Sequence, residues 1–317
     1  MTKTILVTGG AGFIGSHLIE SLLQQSHRVI CLDNFDDFYD PKIKRKNISA
    51  TKNHANFILC EGDIRDEIFL EKIFATHAID LVVHLAARAG VRPSIQFPDL
   101  YYDVNVKGTL MLLEAMKKAN VKKLVFASSS SVYGNNTKVP FAETDPVDNP
   151  ISPYAATKKA CELLCYNYHH LYQFDIFCLR FFTVYGPRQR PEMAIHQFVR
   201  NIAEGKEITM FGDGSTRRDY TNIVDIISGV LAACERVQGY EIINIGESAT
   251  IPLNDLIRVI ERHSKKQALI KSLPMQPGDV NITNADISKA RSILGYSPKV
   301  DIDHGIEQFI HWYNTSR

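Results

Sequence analysis

The segment TILVTGGAGFIG at residues 4–15 constrains the fold of this chain more than any other feature. A short β-branched run passes directly into glycines and then into a helical pattern, which predicts a strand, a tight turn and a helix. Glycines at such a turn permit close backbone approach, and the N-terminus of the helix favours a pyrophosphate. The segment therefore predicts a dinucleotide-binding unit whose cofactor contacts come from Gly9, Gly10, Gly12, Phe13, Ile14 and Gly15.

Similar units repeat over the first 180 residues. Apolar runs rich in β-branched residues alternate with helical stretches, and the runs are ILVT (5–8), RVICLD (28–33), FILCEGD (57–63), LVVHLA (81–86) and LVFASS (124–129). A helix over 154–172 and a strand over 174–182 extend the series. This alternation predicts parallel strands joined by crossover helices, so the fold class is α/β with a doubly wound (Rossmann) parallel sheet.

The chain of 317 residues exceeds the usual size of one domain. After Phe182 the sequence becomes rich in proline and glycine, and residues 222–246 then return to a helix followed by a strand. We expect a Rossmann domain of residues 1–182 plus about 221–247. A smaller C-terminal α/β domain that binds substrate would comprise 183–220 plus about 248–317.

The amino-acid composition limits the kinds of molecule that the chain is expected to bind. The formal net charge is only +1 and no long run of one sign occurs, so neither nucleic acid nor a membrane surface is an expected partner. No apolar run approaches the roughly 18 residues of a membrane span, and the N-terminus lacks the pattern of a signal peptide. Six cysteines without metal-ligand spacing predict buried, reduced thiols, no metal site and a cytoplasmic location. Local arginines must then bind an anionic substrate.

Acidic residues close the second and third predicted strands. Asp33 stands where an acid accepts hydrogen bonds from the adenosine ribose, and its charge repels a 2′-phosphate, so NAD is favoured over NADP. Asp63, followed by Ile64, ends the third strand, where a carboxylate can meet the adenine amino group. The basic residues that follow the second strand are expected to form a solvated helix face: Lys42, Lys44, Arg45 and Lys46.

Tyr154 and Lys158 are four residues apart at the start of a predicted helix, so both side chains project from one face. This spacing has little specificity alone, but the strand end FASSSSVYG (126–134) precedes it, and open α/β sheets place ligands at such ends. An ammonium about 5 Å from a phenol stabilises the phenolate by roughly 3 kcal/mol at an effective dielectric near 20. We expect Tyr154 to accept a hydroxyl proton while hydride leaves for NAD, with Ser129 sharing that hydrogen bond.

Together these motifs resemble the extended short-chain dehydrogenases, and among them the nucleotide-sugar 4-epimerases, over essentially the whole chain. The matching motifs include TGGAGFIG, HLAA (84–87), SSSSVYG, GDGSTRRDY (212–220) and PGD (277–279). The resemblance implies further NAD contacts from Asn34, Ile64, Leu85, Ala86, Ala87 and Asn105. It also implies that Arg218 binds the nucleotide pyrophosphate and that a homodimer forms through the helices after Asn105 and around Tyr154.

The residues at two positions, Ser130 and Ser131, distinguish between the reactions that members of this family catalyse. Dehydratases of this family carry an Asp-Glu pair where Ser130 and Ser131 stand, and the decarboxylases of UDP-glucuronate carry a glutamate at the position of Ser131. The reductase branch needs a cysteine and a histidine that do not occur at the matching strand ends. The remaining reaction is oxidation at C4, rotation of the ketone and return of hydride to its other face.

The segments FFTVYGPRQRPEM (181–193) and LPMQPGDV (273–280) are similar to those of UDP-glucuronate 4-epimerases. Thr183 stands where UDP-galactose 4-epimerases have asparagine, and Gln276 where they usually have a basic residue. Arg190 offers a planar fork for a sugar carboxylate, and nearby hydroxyls can complete its hydrogen bonds. The expected substrate-binding residues are Arg88, Ser130, Ser131, Thr183, Arg190, Arg218 and Asp279.

Other readings stay open. A UDP-glucose or UDP-N-acetylglucosamine 4-epimerase is one, because the small Thr283 would admit an acetamido group. A UDP-glucuronate decarboxylase is another. A redox-sensing binding protein would keep the glycines but lose the Tyr154, Lys158 and Ser129 set. His84, which lies among apolar residues, is expected to be a packed core histidine.

Overall fold

A seven-stranded parallel sheet organises the protein, for which a computed structural model describes residues 2–275 and 280–315. Its strands are β1 (Thr4–Thr8), β2 (Arg28–Asp33), β3 (Phe57–Glu61), β4 (Leu81–His84), β5 (Lys123–Ser129), β6 (Asp175–Phe181) and β11 (Tyr240–Ile245). They lie in the order β11-β6-β5-β4-β1-β2-β3. This order confirms the predicted doubly wound α/β fold.

Helices join these strands and cover both faces of the sheet. They are α1 (Phe13–Gln24), α2 (Pro41–Asn47), α3 (Glu67–Thr76), α4 (Val91–Gln96), α5 (Pro98–Tyr101), α6 (Gly108–Lys118), α7 (Pro153–Tyr172) and α9 (Ile223–Arg236). A π-helical turn (Tyr102–Lys107) leads into α6, and a 3₁₀ turn (Ser130–Tyr133) follows β5. Over residues 2–275 and 280–315, no helix combines the length and the apolar character needed to cross a membrane.

Adjacent residues of β1 show how the two faces are filled. The side chain of Val7 packs with Leu18 of α1, whereas Leu6 packs in a separate cluster with Leu112 of α6. Successive strand residues point to opposite faces, so a strand covered on both sides becomes continuously apolar. This double burial explains why ILVT and similar runs carry no polar alternation.

Most of the rest of the chain builds a smaller layer around a third apolar cluster. The remaining elements of the chain are β7 (Thr183–Tyr185), α8 (Ala194–Ala203), β8 (Glu207–Phe211), β9 (Arg217–Arg218), β10 (Tyr220–Asn222), β12 (Ile251–Pro252), α10 (Leu253–Ser264), β13 (Leu269–Leu273), α11 (Ser288–Leu294) and α12 (Ile302–Thr315). Phe198, Leu256 and Phe309 bring α8, α10 and α12 into one buried core.

The C-terminal part of the chain contributes to both cores. The expected boundary near residue 248 assigned everything beyond it to the smaller domain. However, Ala290 and Leu294 of α11, together with Tyr296, are buried in the same cluster as α9 and β11 of the large sheet. We propose that residues 285–296 be counted with the larger domain.

Glu247, two residues after the end of β11, carries a half-buried carboxyl group. Burial raises its pKa to about 7, and the charges of Asp225, Asp219 and Asp301 add to the effect. One of its oxygens is buried without a hydrogen-bond partner among the described residues. Because the folded-state pKa exceeds the ordinary value of 4.5, the folded protein loses stability as pH rises from about 4.5 to about 7.

Glu247→Gln should therefore raise Tm at pH 8, where the wild-type carboxyl is charged, by roughly 1 to 3 °C after allowance for solvent screening. At pH 5 the two proteins should melt within about 1 °C of each other, because the wild-type carboxyl is then mostly neutral. Thermal melts at both pH values measure this difference, with the exposed Glu235→Gln as the control. An equal shift at both pH values would contradict the assignment.

Candidate active site

A cleft of about 390 Å³ opens at the carboxyl ends of the strands of the large sheet. The chain order runs outward from β1 in both directions, so the order reverses between β1 and β4, where doubly wound sheets bind ligands. Most of the predicted site residues line this one cleft: Gly9, Gly12, Phe13, Ile14, Gly15, Asp33, Asn34, Asp63, Ile64, Leu85, Ala86, Ala87, Arg88, Ser129, Ser130, Ser131, Tyr154, Lys158, Thr183 and Arg190.

The glycine turn after β1 forms a cradle that larger residues could not form. Gly9 has φ +68°, and a Cβ built there would lie 2.7 Å from the backbone nitrogen of Ala86. A Cβ on Gly15 would lie 2.3 Å from the carbonyl oxygen of Gly9. Gly12 caps α1 without a side-chain hydrogen bond to its first amides. The free N-terminal amides and the close backbone approach fit a dinucleotide pyrophosphate.

Gly10 differs from its neighbours because it is not among the residues that line the cleft. A Cβ at Gly10 would lie 2.6 Å from Sγ of Cys31 and 2.8 Å from Cδ1 of Ile19. The residue is therefore required for packing the turn against β2 and α1. Its direct contact with the cofactor stays a prediction.

Asp33 at the end of β2 organises the loop that follows. Its carboxylate accepts hydrogen bonds from the backbone amides of Ala11 (3.1 Å) and Phe35 (2.8 Å). Lys44 is buried and its Nζ lies 3.3 Å from Oδ1 of Asp33, so the expectation that Lys44 belongs to a solvated helix face is wrong. Arg45 pairs instead with the exposed Glu61 at 2.7 Å.

Asp63 lies at the end of the cleft formed by β2 and β3. Arg65 donates to both of its oxygens, from Nε at 2.9 Å and from Nη2 at 2.7 Å. These hydrogen bonds hold the pKa of Asp63 down at about 2. Asn34 also donates to Asp63, at 3.0 Å. The carboxylate stays ionised, and any contact with an adenine amino group would use its remaining lone pairs.

Asn105 lies outside the cleft lining and supports it from behind. Its side chain accepts from the backbone amide of Arg88 (2.8 Å) and donates to the carbonyl of Arg88 (3.0 Å) and to Oγ1 of Thr157 (3.0 Å). A buried amide with these partners fixes the loop after β4 against α7. The structure thus shows Asn105 in a bridging position, and the direct cofactor contact that the resemblance implied stays a prediction.

Tyr154 and Lys158 project from the first turns of α7 into the cleft. The helix begins there because Ser152 accepts the amide of Ala155 and Pro153 takes the first helical position. The ring of Tyr154 packs edge-on against Tyr101, with centroids 6.2 Å apart. The ammonium of the buried Lys158 donates to the carbonyl of Ala127 at 2.6 Å, which ties α7 to the end of β5.

Three consecutive serines at the end of β5 also line the cleft: Ser129, Ser130 and Ser131. Oγ of Ser129 lies 3.2 Å from Oγ of Ser131 and accepts the amide of Ser131 at the same distance. Behind them, Oγ of Ser128 donates to Glu162 at 2.7 Å. Glu162 in turn forms a fully buried ion pair with Arg180, so α7, β5 and β6 are joined beneath the site. This network carries no motif and was not predicted.

Arg190 brings a positive charge to the same cleft from the loop after β7. Its side chain is only 20% exposed, and its Nε lies 3.0 Å from Glu192. The hydroxyls of Thr183, Ser130 and Ser131 line the cleft with it. Two further substrate-binding residues were predicted, Arg218 and Asp279. Arg218 donates to the carbonyl of Arg217 at 2.9 Å and is not part of the lining. Asp279 lies outside the described residues.

The loop between β2 and α2 adds residues that the sequence analysis missed. Asp36, Phe38 and Tyr39, together with Lys44, line the cleft. The signal in the sequence was the three aromatic residues of FDDFYD (35–40), of which Phe38 and Tyr39 line the cleft. Aromatic side chains in a polar loop beside a binding site are candidates for a wall of that site.

His84 is the packed core histidine that the sequence predicted. It is 1% exposed, and its ring nitrogens lie 2.6 Å from Oγ1 of Thr8 and 3.0 Å from Oγ1 of Thr109. Burial, aided by the charge of Lys158, lowers its pKa to about 3. The neutral ring therefore links β1, β4 and α6.

The cleft at the edge of this Rossmann sheet contains a glycine cradle, a serine, a tyrosine, and a lysine four residues after the tyrosine. This combination defines a short-chain dehydrogenase/reductase. Residues 6–309 match the family model described as GDP-mannose 4,6 dehydratase. The chain belongs to this family of extended short-chain dehydrogenases, as the resemblance of its motifs indicated.

Relatives of known activity cover the chain almost completely. It is 47% identical to a UDP-glucuronate 4-epimerase of Thermodesulfobacterium geofontis, over 97% of this chain and 95% of that one. It is 43% identical to UDP-glucuronate 4-epimerase 4 of Arabidopsis thaliana, over 98% of this chain and 75% of the relative.

Solved structures show the same architecture. The crystal structure of the UDP-glucuronic acid 4-epimerase of Bacillus cereus, in complex with UDP-glucuronic acid and NAD, superposes with a TM-score of 0.93 at 39% identity, covering 99% of this chain and 100% of that one. A UDP-glucose 4-epimerase of Thermotoga maritima with UDP-glucose gives 0.91 at 34% identity, covering 99% of each chain.

Proposed function

We propose that this chain is an NAD-dependent UDP-glucuronate 4-epimerase, which interconverts UDP-glucuronate and UDP-galacturonate through a transient 4-keto sugar. The observation that carries the proposal is the presence of Arg190 in the same cleft as Tyr154. A guanidinium fork there matches the carboxylate that distinguishes a uronic acid from a neutral hexose. The activities of the Thermodesulfobacterium and Bacillus proteins support it.

NAD is the cofactor that the cleft fits. The cradle of Gly9, Gly12 and Gly15 would hold its pyrophosphate, and Asp33 would accept the ribose hydroxyls. When bound, NAD supplies a hydride acceptor that takes hydrogen from C4 and returns it to the opposite face of the sugar.

The side chains that would surround the sugar accept and return the proton of its C4 hydroxyl. We assign Tyr154 as the group that accepts the proton of the C4 hydroxyl and later gives it back. The hydroxyl of Ser129, oriented by the amide of Ser131 at 3.2 Å, can donate to the C4 oxygen. Lys158 lines the cleft with Tyr154, and its ammonium donates to the carbonyl of Ala127 at 2.6 Å, which holds the start of α7 against the end of β5. The reaction then needs no further acid or base, because oxidation and reduction occur at the same carbon.

Two residues, one in the cleft and one outside it, help to distinguish the proposed function from a decarboxylase and from an epimerase of N-acetylated sugars. Ser131 occupies the position at which the decarboxylases carry a glutamate. The chain therefore has a hydroxyl there instead of the carboxyl group of those enzymes. Thr283 is buried, and its Oγ1 accepts the amide of Asp219 at 3.2 Å, so it does not line the cleft as a site for an acetamido group. A UDP-glucose 4-epimerase remains the second candidate, supported by the Thermotoga structure.

We also propose a cytoplasmic homodimer. The support for the dimer is a set of half-exposed apolar side chains on α7 and on the turn before α6: Tyr102, Leu163 and Tyr166. The support for the cytoplasm is that all six cysteines are free, which suits a reducing compartment. Light scattering of the purified protein would measure the mass of the assembly.

Turnover should require no external oxidant or reductant, because hydride leaves and returns to one carbon. Proton NMR of the NAD-loaded enzyme with UDP-glucuronate, UDP-glucose and UDP-N-acetylglucosamine should show UDP-galacturonate forming from the first. A need for stoichiometric NADH or NADPH would contradict the proposal, as would release of reduced cofactor one for one with product. Conversion of only the neutral sugars would favour the second candidate.

A further inference from the structure

The loop between β2 and α2 connects the cofactor end of the cleft to its substrate end. It starts at Asp33, whose carboxylate would meet the adenosine ribose and which accepts the amide of Phe35 at 2.8 Å. A few residues further on, Phe38 and Tyr39 line the cleft beside Arg190. Burial raises the pKa of Tyr39 above its usual range, so its phenol stays neutral where it lines the cleft.

The ring of Phe38 lies beside two arginines from different parts of the chain. Cζ of Arg88, after β4, is 5.2 Å from the ring centroid, and Cζ of Arg190, after β7, is 5.6 Å from it. Both distances fall within the range of cation–π attraction. Phe38 is thus an aromatic neighbour shared by the two guanidinium groups of the cleft.

The acidic partners make the two arginines unequal. Asp36 of the same loop pairs with Nη2 of Arg88 at 3.1 Å, whereas Glu192 pairs with Nε of Arg190 at 3.0 Å. Glu192 contacts Arg190 at Nε, and a substrate carboxylate can bind the two terminal nitrogens of a guanidinium in a bidentate contact. Such a contact requires a fixed guanidinium, and attraction to the ring of Phe38, 5.6 Å from Cζ of Arg190, restricts its position.

We propose that Phe38 is a positioning residue that selects an acidic sugar by orienting Arg190 within the cleft. The proposal rests on the proposed function, since it assigns the carboxylate of the substrate to Arg190. It implies that the loop bearing the cofactor-binding acid also sets the substrate preference. A residue that only supported the fold would affect charged and neutral sugars alike.

The test is to measure Kd for UDP-glucuronate and UDP-glucose by calorimetry on the NAD-loaded protein. Phe38→Leu removes the ring and should raise Kd for UDP-glucuronate about 3- to 10-fold, the range expected for a lost cation–π contact. Kd for UDP-glucose should change less than about 2-fold. Phe38→Tyr should restore the wild-type ratio, and Phe38→Met should repeat the leucine result with an unbranched side chain.

Phe35→Leu is a matched control. Phe35 lies in the same loop and packs on a guanidinium, that of Arg45 at 4.0 Å from its centroid, but does not line the cleft. Its substitution should leave the ratio of the two Kd values unchanged. An unchanged ratio in Phe38→Leu and Phe38→Met, or equal weakening for both sugars, would overturn the positioning role. A wild-type enzyme that fails to convert UDP-glucuronate would instead overturn the proposed function.

Discussion

Tyr154→Phe should lower kcat about 10²- to 10⁴-fold, the usual contribution of a positioned general base. The substitution removes only the phenolic oxygen, so the edge contact of the ring with Tyr101 is retained. The affinity for UDP-glucuronate should consequently change little. Steady-state epimerisation followed by NMR, with calorimetric Kd values, measures both quantities.

Tyr172→Phe provides the control for Tyr154, because it ends the same helix and lies outside the residues that line the cleft. This variant should turn over at the wild-type rate. If Tyr154→Phe kept more than about a tenth of the wild-type kcat, another group would have to accept the C4 proton. A large loss of binding would show that the phenol mainly holds the substrate.

The parts of the site that sequence reasoning placed are those set by local rules. The glycine turn follows a strand and starts a helix within a dozen residues, and Tyr154 and Lys158 share one helix face by simple spacing. Parallel strands bring their carboxyl ends to a common edge, so Asp33, Asp63 and Ser129 could be assigned to one cleft before the structure was known. The same reasoning gave the strand alternation of the large sheet.

The parts that were missed depend on contacts between distant segments. Lys44 looks like one of several exposed basic residues, and only the fold shows that its ammonium reaches Asp33. The bridge that the Asn105 amide makes between Arg88 and Thr157 also joins segments that are far apart in the sequence. Phe38 meets Arg190 across more than a hundred residues of sequence, and no period or spacing encodes such a meeting. Side-chain partners of this kind are set by tertiary packing rather than by local pattern.

Arg190→Ala should weaken binding of UDP-glucuronate by about 1.5 to 3 kcal/mol, the value of a charged hydrogen bond. It should also raise the fraction of 4-keto-pentose product. Oxidation at C4 makes the sugar a β-keto acid, which loses carbon dioxide when its C5–carboxylate bond stands perpendicular to the ketone plane. The bond electrons then pass to C5, which is protonated. A bidentate arginine can hold the carboxylate out of that alignment while the ketone rotates.

Arg188→Ala is the matched control for this prediction. Arg188 lies in the same loop but pairs with Glu20 at 2.7 Å and does not line the cleft, so both affinity and product ratio should stay at wild-type values. UDP-glucose has no carboxylate and should bind Arg190→Ala about as well as it binds the wild type. Unchanged affinity for UDP-glucuronate together with an unchanged decarboxylated fraction would make Arg190 a wall of the cleft rather than the partner of the carboxylate.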